Sequence, residues 1–275
     1  MRDLDTVVKG LEGQLVEIRR HLHRNPEPSG EETETTRYLA GILEGIGLDC
    51  KLGEEARGVL ANPAQVQAGK EITAFRGDID ALWIQESTGA SYQRCVDGVM
   101  HACGHDAHAT CAVGTALALA QLQEAGKLPW PVGWRAILQP AEEICIGAAE
   151  MVALGALEGV TGIFSLHMDP AYPVGTICTK DGALTAACDE FRIHIQGEGG
   201  HGARPHETRD PVAAGAMLVS SLYQQIPRTF DAQDTVVVTV GEFSAGHSAN
   251  VIADSAKLRG TFRTLTTKNR EALKP

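Results

Sequence analysis

The sequence predicts an α/β protein with a mostly parallel inner sheet, followed by a smaller α+β segment. Strand-like and helix-like patterns alternate through the first two thirds of the chain. Acidic or imidazole residues fall directly after the strands, as expected for loops gathered on one edge of a parallel sheet. Near Ala187 the pattern changes to strict alternation of apolar and polar residues, which marks the second segment.

Taken in order, Leu4, Val7, Val8, Leu11, Leu15, Ile18 and Leu22 recur at helical spacing between charged residues. This is an amphipathic helix rather than the apolar core of a targeting signal. The polar turn Asn25-Pro26-Glu27-Pro28-Ser29-Gly30 leads to a second helix over about residues 31–46, ending at Gly47. Residues 71–75 read as a short strand running into Arg76-Gly77-Asp78-Ile79-Asp80. An alanine-rich buried helix spans about residues 107–124, and residues 134–138 form a strand. Gln139-Pro140-Ala141-Glu142-Glu143 follows, then a helix over about 147–157 and a strand over 162–166 that ends in His167.

In the second segment Phe191, Ile193 and Ile195 alternate with Arg192, His194 and Gln196, the signature of a half-exposed antiparallel strand. The glycine-rich turn over residues 197–202 lacks the Gly-Lys-Ser/Thr ending of a phosphate loop, which argues against nucleotide binding. A helix over about 210–225 and strands over 235–243 and 256–264 complete a β-α-β-β order.

The chain has 275 residues, enough for one large domain or two of ordinary size. Its net charge of -11 argues against nucleic acid or an anionic membrane surface as a partner. The seven cysteines, at 50, 95, 103, 111, 145, 178 and 188, have no framework spacing and suit free thiols in a reducing compartment. The longest apolar stretch, around residues 109–120, is too short and broken to span a bilayer. The expectation is a soluble cytoplasmic protein.

The richest chemistry lies in His101-Ala102-Cys103-Gly104-His105-Asp106. Cys103 and His105 are separated only by glycine, so both can converge on one cation, and thiolate with imidazole suits Zn²⁺ or a similar first-row ion. Asp78, Asp80, Glu142, Glu143 and His167 each follow a predicted strand, so separate segments deliver donors to one rim. In an extended Glu142-Glu143 pair the side chains point to opposite sides. One carboxylate can then ligate metal while the other serves as general base. The alternative is a solvated acidic pair at a helix N-terminus, and convergence with the other loops favours the functional reading. His21 and His23 read as helix-surface or packing residues, His101 and His108 as hydrogen-bonding groups, and Cys111 and Cys145 as packed thiols. The role of His247 stays open, and no Cys–His–Asn arrangement supports Cys103 as a nucleophile.

These motifs carry a family resemblance over nearly the whole chain. The segments are Arg20-His21-Leu22-His23 through Pro26-Glu27, Arg76-Gly77-Asp78-Ile79-Asp80-Ala81-Leu82, the His101–Asp106 loop, Gln139 to Glu143 and Leu166-His167. Gly199-Gly200-His201-Gly202-Ala203-Arg204-Pro205-His206, Asn250-Val251-Ile252 and Gly260-Thr261-Phe262-Arg263-Thr264 continue the same order. Together they resemble the dinuclear-metal amidohydrolases that include hippurate hydrolase, bacterial N-acyl-amino-acid amidohydrolases and plant auxin-conjugate hydrolases.

The resemblance implies a zinc-peptidase-like catalytic domain over residues 1–186 and an inserted α+β sandwich, a lid and dimerisation domain, over 187–275. It implies two divalent metal ions, of the zinc or manganese type, held by Cys103, His105, Glu143 and His167. Glu142 matches the general base, and Asp80 an aspartate behind the site that orients a ligand. His201 matches a histidine that reaches into a partner subunit's site and stabilises the tetrahedral oxyanion. Asn250 and Arg263 match groups that hold the substrate carboxylate, a role suited to a guanidinium fork.

The implied substrate is an N-acyl amino acid and the implied assembly a homodimer through the small domain. Trp83 and Ala253 stand where the family has proline. The family's chains run on beyond the position of Pro275 and supply a further metal-binding histidine, so the sequence is expected to be a truncated member. A dipeptidase or carboxypeptidase of the same superfamily, and a non-catalytic metal-binding or dimerising relative, are the alternatives. The intact base and four ligands favour the amidohydrolase over the non-catalytic relative.

Overall fold

The amphipathic opening forms helix α1 (Arg2–Arg24), with Leu11, Ile18 and Leu22 on its buried face. The structure, a computed structural model, describes residues 2–63, 71–93, 96–130 and 132–274, so Cys95 lies outside the described residues. The chain divides into two units, Met1–Pro173 and Val174–Pro275. Among the described residues no helix is long and apolar enough to cross a membrane.

In the first unit, α2 (Thr33–Glu44) follows the polar turn, and Gly47 N–H closes on Glu44 O beyond its end. The Glu27 carboxylate accepts the Glu34 and Thr35 N–H groups, which otherwise lack partners in a first helical turn. Strands β1 (Leu48–Leu52), β2 (Val59–Pro63) and β3 (Ile72–Asp78) come next, then α3 (His105–Glu124) and β4 (Gly133–Gln139). Helix α4 (Gly147–Ala153) and β5 (Val160–Ser165) complete the unit. The five-stranded sheet has the order β1-β2-β4-β3-β5.

Strands β4, β3 and β5 run parallel, as the alternation of elements predicts, whereas β1 and β2 form an antiparallel hairpin that joins β4. That hairpin is absent from the sequence reading because its strands are short and carry no strong turn signal.

Alternation along the strands builds apolar layers on both faces. Val59 and Ala61 join Leu39, Leu43, Val113, Leu117, Trp134 and the α1 residues in one cluster. Leu60 joins Ala74, Ile137 and Met151 in the other. Each large aliphatic side chain so buried contributes about 1.5–3 kcal/mol.

The parallel register pairs Asp78 with Gln139 and Arg76 with Ser165, so the carboxyl ends of β3, β4 and β5 share one edge. Gly77 then brings the end of β3 onto the first turn of α3. A Cβ at this position would lie 2.7 Å from the His108 carbonyl oxygen.

Of the helix-surface and packing readings, His23 follows the second. It is buried, and its Nδ1 lies 2.7 Å from Asp106 Oδ2 and its Nε2 3.2 Å from Glu86 Oε1. The sequence shows the helical face but not the loop that covers it. His21 stacks on Tyr38 with ring centroids 3.8 Å apart, in line with a packing role.

In the second unit, β6 (Ala187–Gln196), β8 (Val236–Ala245) and β10 (Ser255–Thr264) form an antiparallel sheet of order β6-β10-β8. Between them lie β7 (Gly200–His201), α5 (Pro211–Thr229) and β9 (Val251–Ile252), and β7 pairs with β9. Asp210 caps α5 by accepting the Val212 and Ala213 N–H groups. Helix α6 (Thr267–Leu273) is tied to β6 by a two-pronged Arg270–Asp189 ion pair.

Two predictions follow from this packing. Gly77→Ala drives a methyl group into backbone, and chemical denaturation should show a loss of about 1–3 kcal/mol. The Asp106 and Glu86 hydrogen bonds raise the His23 pKa above its ordinary 6.5 despite burial. Its stabilising contribution is therefore complete below that value and is lost as pH rises through the raised folded value. Denaturation of His23→Gln should show a smaller fall in stability over that window than the parent.

Candidate metal centre and active site

The site forms where α3 begins. Gly104, with φ +90°, turns the chain so that Cys103 sits on the loop and His105 opens the helix. His105 Nδ1 lies 2.9 Å from Asp80 Oδ1, which assigns its proton to that nitrogen and leaves Nε2 as a lone pair. His105 Nε2 is buried without a hydrogen-bond partner among the described residues, and so is Glu143 Oε1, 3.8 Å away. Asp80 Oδ2 in turn accepts Ser29 Oγ–H at 2.7 Å and Glu143 N–H at 3.0 Å. Cys103 Sγ lies 3.3 Å from His167 Nε2.

One ligand atom from each of Cys103, His105 and His167 falls within 4.8 Å of the other two. The same holds for His105, Glu142 and Glu143, and for Asp78, His105 and His108.

The glutamates do not sit in the extended segment that the sequence reading assumes. Residues 142–145 form a turn, so alternation does not send the two side chains apart, and both carboxylates reach toward His105. The turn is pinned at its start by the buried Glu32 carboxylate, which accepts Ala141 N–H at 2.7 Å. Ala141 adopts φ +48°, a left-handed conformation that needs such support in a residue with a side chain.

Electrostatics favour a cation here. Burial and then the nearby Glu143 push the Cys103 thiol up to about 12, so without a cation it is no reactive thiolate. Burial and then the Asp78 charge hold the Glu142 carboxyl above its usual value. Burial opposes ionisation of Asp78, but His108 and Arg76 overcome it and bring the carboxyl to about 2. His101, buried with both ring nitrogens unpaired among the described residues, is pushed down to about 4 by its burial. Its expected hydrogen bonds are therefore not seen. Buried, unpaired donor atoms beside several carboxylates are costly unless a ligand satisfies them. Cys103, His105 and His167, and His105 with Glu142 and Glu143, thus offer donor chemistry that fits divalent ions, each triad within 4.8 Å.

Asp80, Cys103, His105, Glu142, Glu143 and His167 are thus brought together. His108 hydrogen-bonds to Asp78 and Met168, as a non-ligand reading expects. Ser29, Glu32 and the role of Asp78 escape the sequence reading. A second acidic residue two places before Asp80 was a usable signal, whereas nothing marks Ser29 or Glu32.

In the second unit, His201 pairs across from Val251, and Gly202 N–H donates to Asn250 O, which brings residues 201 and 250 side by side. Arg263 is exposed on β10, opposite Cys188 and Val237.

A parallel sheet edge that gathers thiol, imidazole and carboxylate donors around unpaired atoms defines a metallohydrolase-type catalytic unit. Residues 74–272 match the family model described as Peptidase family M20/M25/M40. The chain belongs to this family.

An N-acetylcysteine deacetylase of Bacillus subtilis is 41% identical over 266 residues, covering 96% of this chain and 69% of its own. An IAA-amino acid hydrolase of Arabidopsis thaliana is 38% identical over 260 residues, 94% of this chain and 58% of its own. The crystal structure of the Bacillus subtilis YXEP protein, described as a dinuclear metal binding peptidase, superposes with a TM-score of 0.75 at 37% identity. That match covers 96% of this chain and 67% of the other. The chain spans roughly two thirds of the length of the curated relatives it matches, 66%, 69% and 62% for three of them.

Removing the Asp80 carboxylate frees the His105 ring and the Glu143 backbone together. Asp80→Ala should therefore weaken Zn²⁺ binding about 10–100-fold in a chelator competition titration. Unchanged affinity would show that Asp80 does not support the site.

Proposed function

We propose that the protein is a metal-dependent amidohydrolase that cleaves N-acyl amino acids into a carboxylic acid and a free amino acid. The observation that carries this reading is a pair of ligand-atom clusters, Cys103–His105–His167 and His105–Glu142–Glu143, that meet at His105. Two divalent ions bound there would supply Lewis acidity, which polarises a carbonyl and lowers the pKa of water.

Glu142 is assigned the proton transfers. Its carboxylate takes a proton from the water that attacks the amide carbon, and returns it to the nitrogen as the carbon–nitrogen bond breaks. A carboxyl raised above its ordinary value by burial suits both halves of that exchange. Glu143 is assigned to the metal, since its Oε1 is buried and unpaired among the described residues while its backbone is fixed on Asp80. His201 is assigned to the developing oxyanion. Asn250 and Arg263 are assigned to the carboxylate that every N-acyl amino acid carries.

The N-acetylcysteine deacetylase relative supports this substrate class. The second unit is assigned the lid and dimerisation roles. Exposed Val212, Met217 and Tyr223 on α5 supply apolar surface suited to self-association. Among the described residues Cys50, Cys103, Cys111, Cys178 and Cys188 are free thiols, which fits a reducing cytoplasmic compartment.

Metal analysis by mass spectrometry, paired with hydrolysis of hippurate and of a free dipeptide, tests the reading. Two ions per chain with preferred cleavage of hippurate supports it. Preferred cleavage of the dipeptide replaces it with a peptidase, and bound metal with neither cleavage favours the non-catalytic relative. Glu142→Gln should lower turnover by about 10²–10⁴-fold with metal content unchanged. Loss of metal with no separate loss of chemistry would reassign Glu142 as a ligand.

A further inference from the structure

We infer that Asp78 and His108 are positioning residues that set the tautomer and orientation of the His167 ring through the backbone of Met168. His167 lies beyond the end of β5, on an exposed loop that the sheet ladder does not hold. Its ring is instead fixed by a chain of hydrogen bonds whose donors and acceptors are unambiguous.

A backbone N–H can only donate, and Met168 N–H points at His108 Nε2 at 2.7 Å. His108 Nε2 must therefore carry a lone pair, and the ring proton sits on Nδ1, 2.6 Å from Asp78 Oδ1. The other oxygen of Asp78 pairs with Arg76, which holds the carboxylate as an acceptor. On the other side of the same residue, a carbonyl can only accept. His167 Nδ1 lies 2.7 Å from Met168 O, so Nδ1 carries the proton of His167. The His167 lone pair is then on Nε2, the nitrogen that faces Cys103 Sγ.

Both polar groups of Met168 are thus taken up by imidazoles, and the two rings lie 4.6 Å apart at 60°. Gly104 allows the approach, since a Cβ there would lie 3.2 Å from Met168 Cβ.

Two consequences follow. His108 lies within ligand distance of Asp78 and His105 but has no free lone pair, so it is not a metal ligand. The site also uses one device in two forms. Asp80 orients His105 directly, while Asp78 orients His167 at one remove, through His108 and the backbone N–H and C=O of Met168.

The inference rests on the reading of His167 as a ligand, but its first test needs neither metal nor turnover. Long-range ¹H–¹⁵N spectra of the metal-free protein should show His108 and His167 both protonated at Nδ1. Either ring protonated at Nε2 overturns the inference, and this readout decides it whether or not a variant folds.

Two variants then test the consequence. His108→Leu removes the acceptor for Met168 N–H, whereas His108→Gln keeps an amide oxygen there and an amide donor toward Asp78. The leucine variant should give a mixed His167 tautomer and about 10–100-fold weaker binding of Zn²⁺, and the glutamine variant should recover most of both. An unchanged leucine variant, or a glutamine variant as impaired as the leucine one with parental circular dichroism, overturns it. A failure of hippurate cleavage leaves these readouts unchanged, so the two readings fail separately.

Discussion

The site depends on the contact of β3 with α3 at Gly77. With no side chain between them, the strand backbone meets the His108 carbonyl directly, and a Cβ would come within 2.7 Å of it. That approach lets Asp78 and Asp80 reach imidazoles on the helix, at 2.6 Å to His108 and 2.9 Å to His105. A strand held a methyl group farther away would leave both carboxylates and both rings short of partners. The parallel register then sets the ends of β4 and β5 beside the same point, and hydrogen bonds to Glu32, Asp80 and His108 fix the Glu142–Glu143 turn and the His167 segment that follow them.

Hydrogen bonding separates the polar groups that hold the site from those left open. Asp78, Asp80, Ser29 and His108 are committed to one another or to backbone. Their pairing offsets the cost of burying them. Among the described residues His105 Nε2 and Glu143 Oε1 are left buried and unpaired, and Cys103 faces His167 across 3.3 Å. With these four groups committed, the scaffold around His105 and Glu143 has little freedom to turn its open atoms away. The open atoms therefore stay aimed at a common point, which is the preorganisation that metal binding and catalysis both need.

The Glu142–Glu143 turn shows the same economy. Glu32, buried at the start of α2, accepts Ala141 N–H, and Asp80 accepts Glu143 N–H. Two carboxylates from separate parts of the chain thus fix the backbone on either side of Glu142, which stays half-buried with its carboxyl raised. One aspartate holds both a candidate ligand ring and the backbone of a second candidate ligand, so the two are positioned together.

The sequence by itself determined the parallel α/β frame, the antiparallel strands after Ala187 and the residues that meet at the rim. Periodicity, strand ends and motif order are local properties, and each survives in a one-dimensional reading. It did not reveal the β1–β2 hairpin, the turn that places both glutamates toward His105, the buried setting of His23 or the partners of Asp78, Ser29 and Glu32. Those depend on contacts between segments far apart in the chain, such as Glu32 with Ala141 and Asp78 with His108. Only packing brings such groups within hydrogen-bond range, and only then do the donor and acceptor roles of backbone atoms assign the ring protons. Residue identity named the candidate ligands, and tertiary structure decided which of their atoms are free to bind.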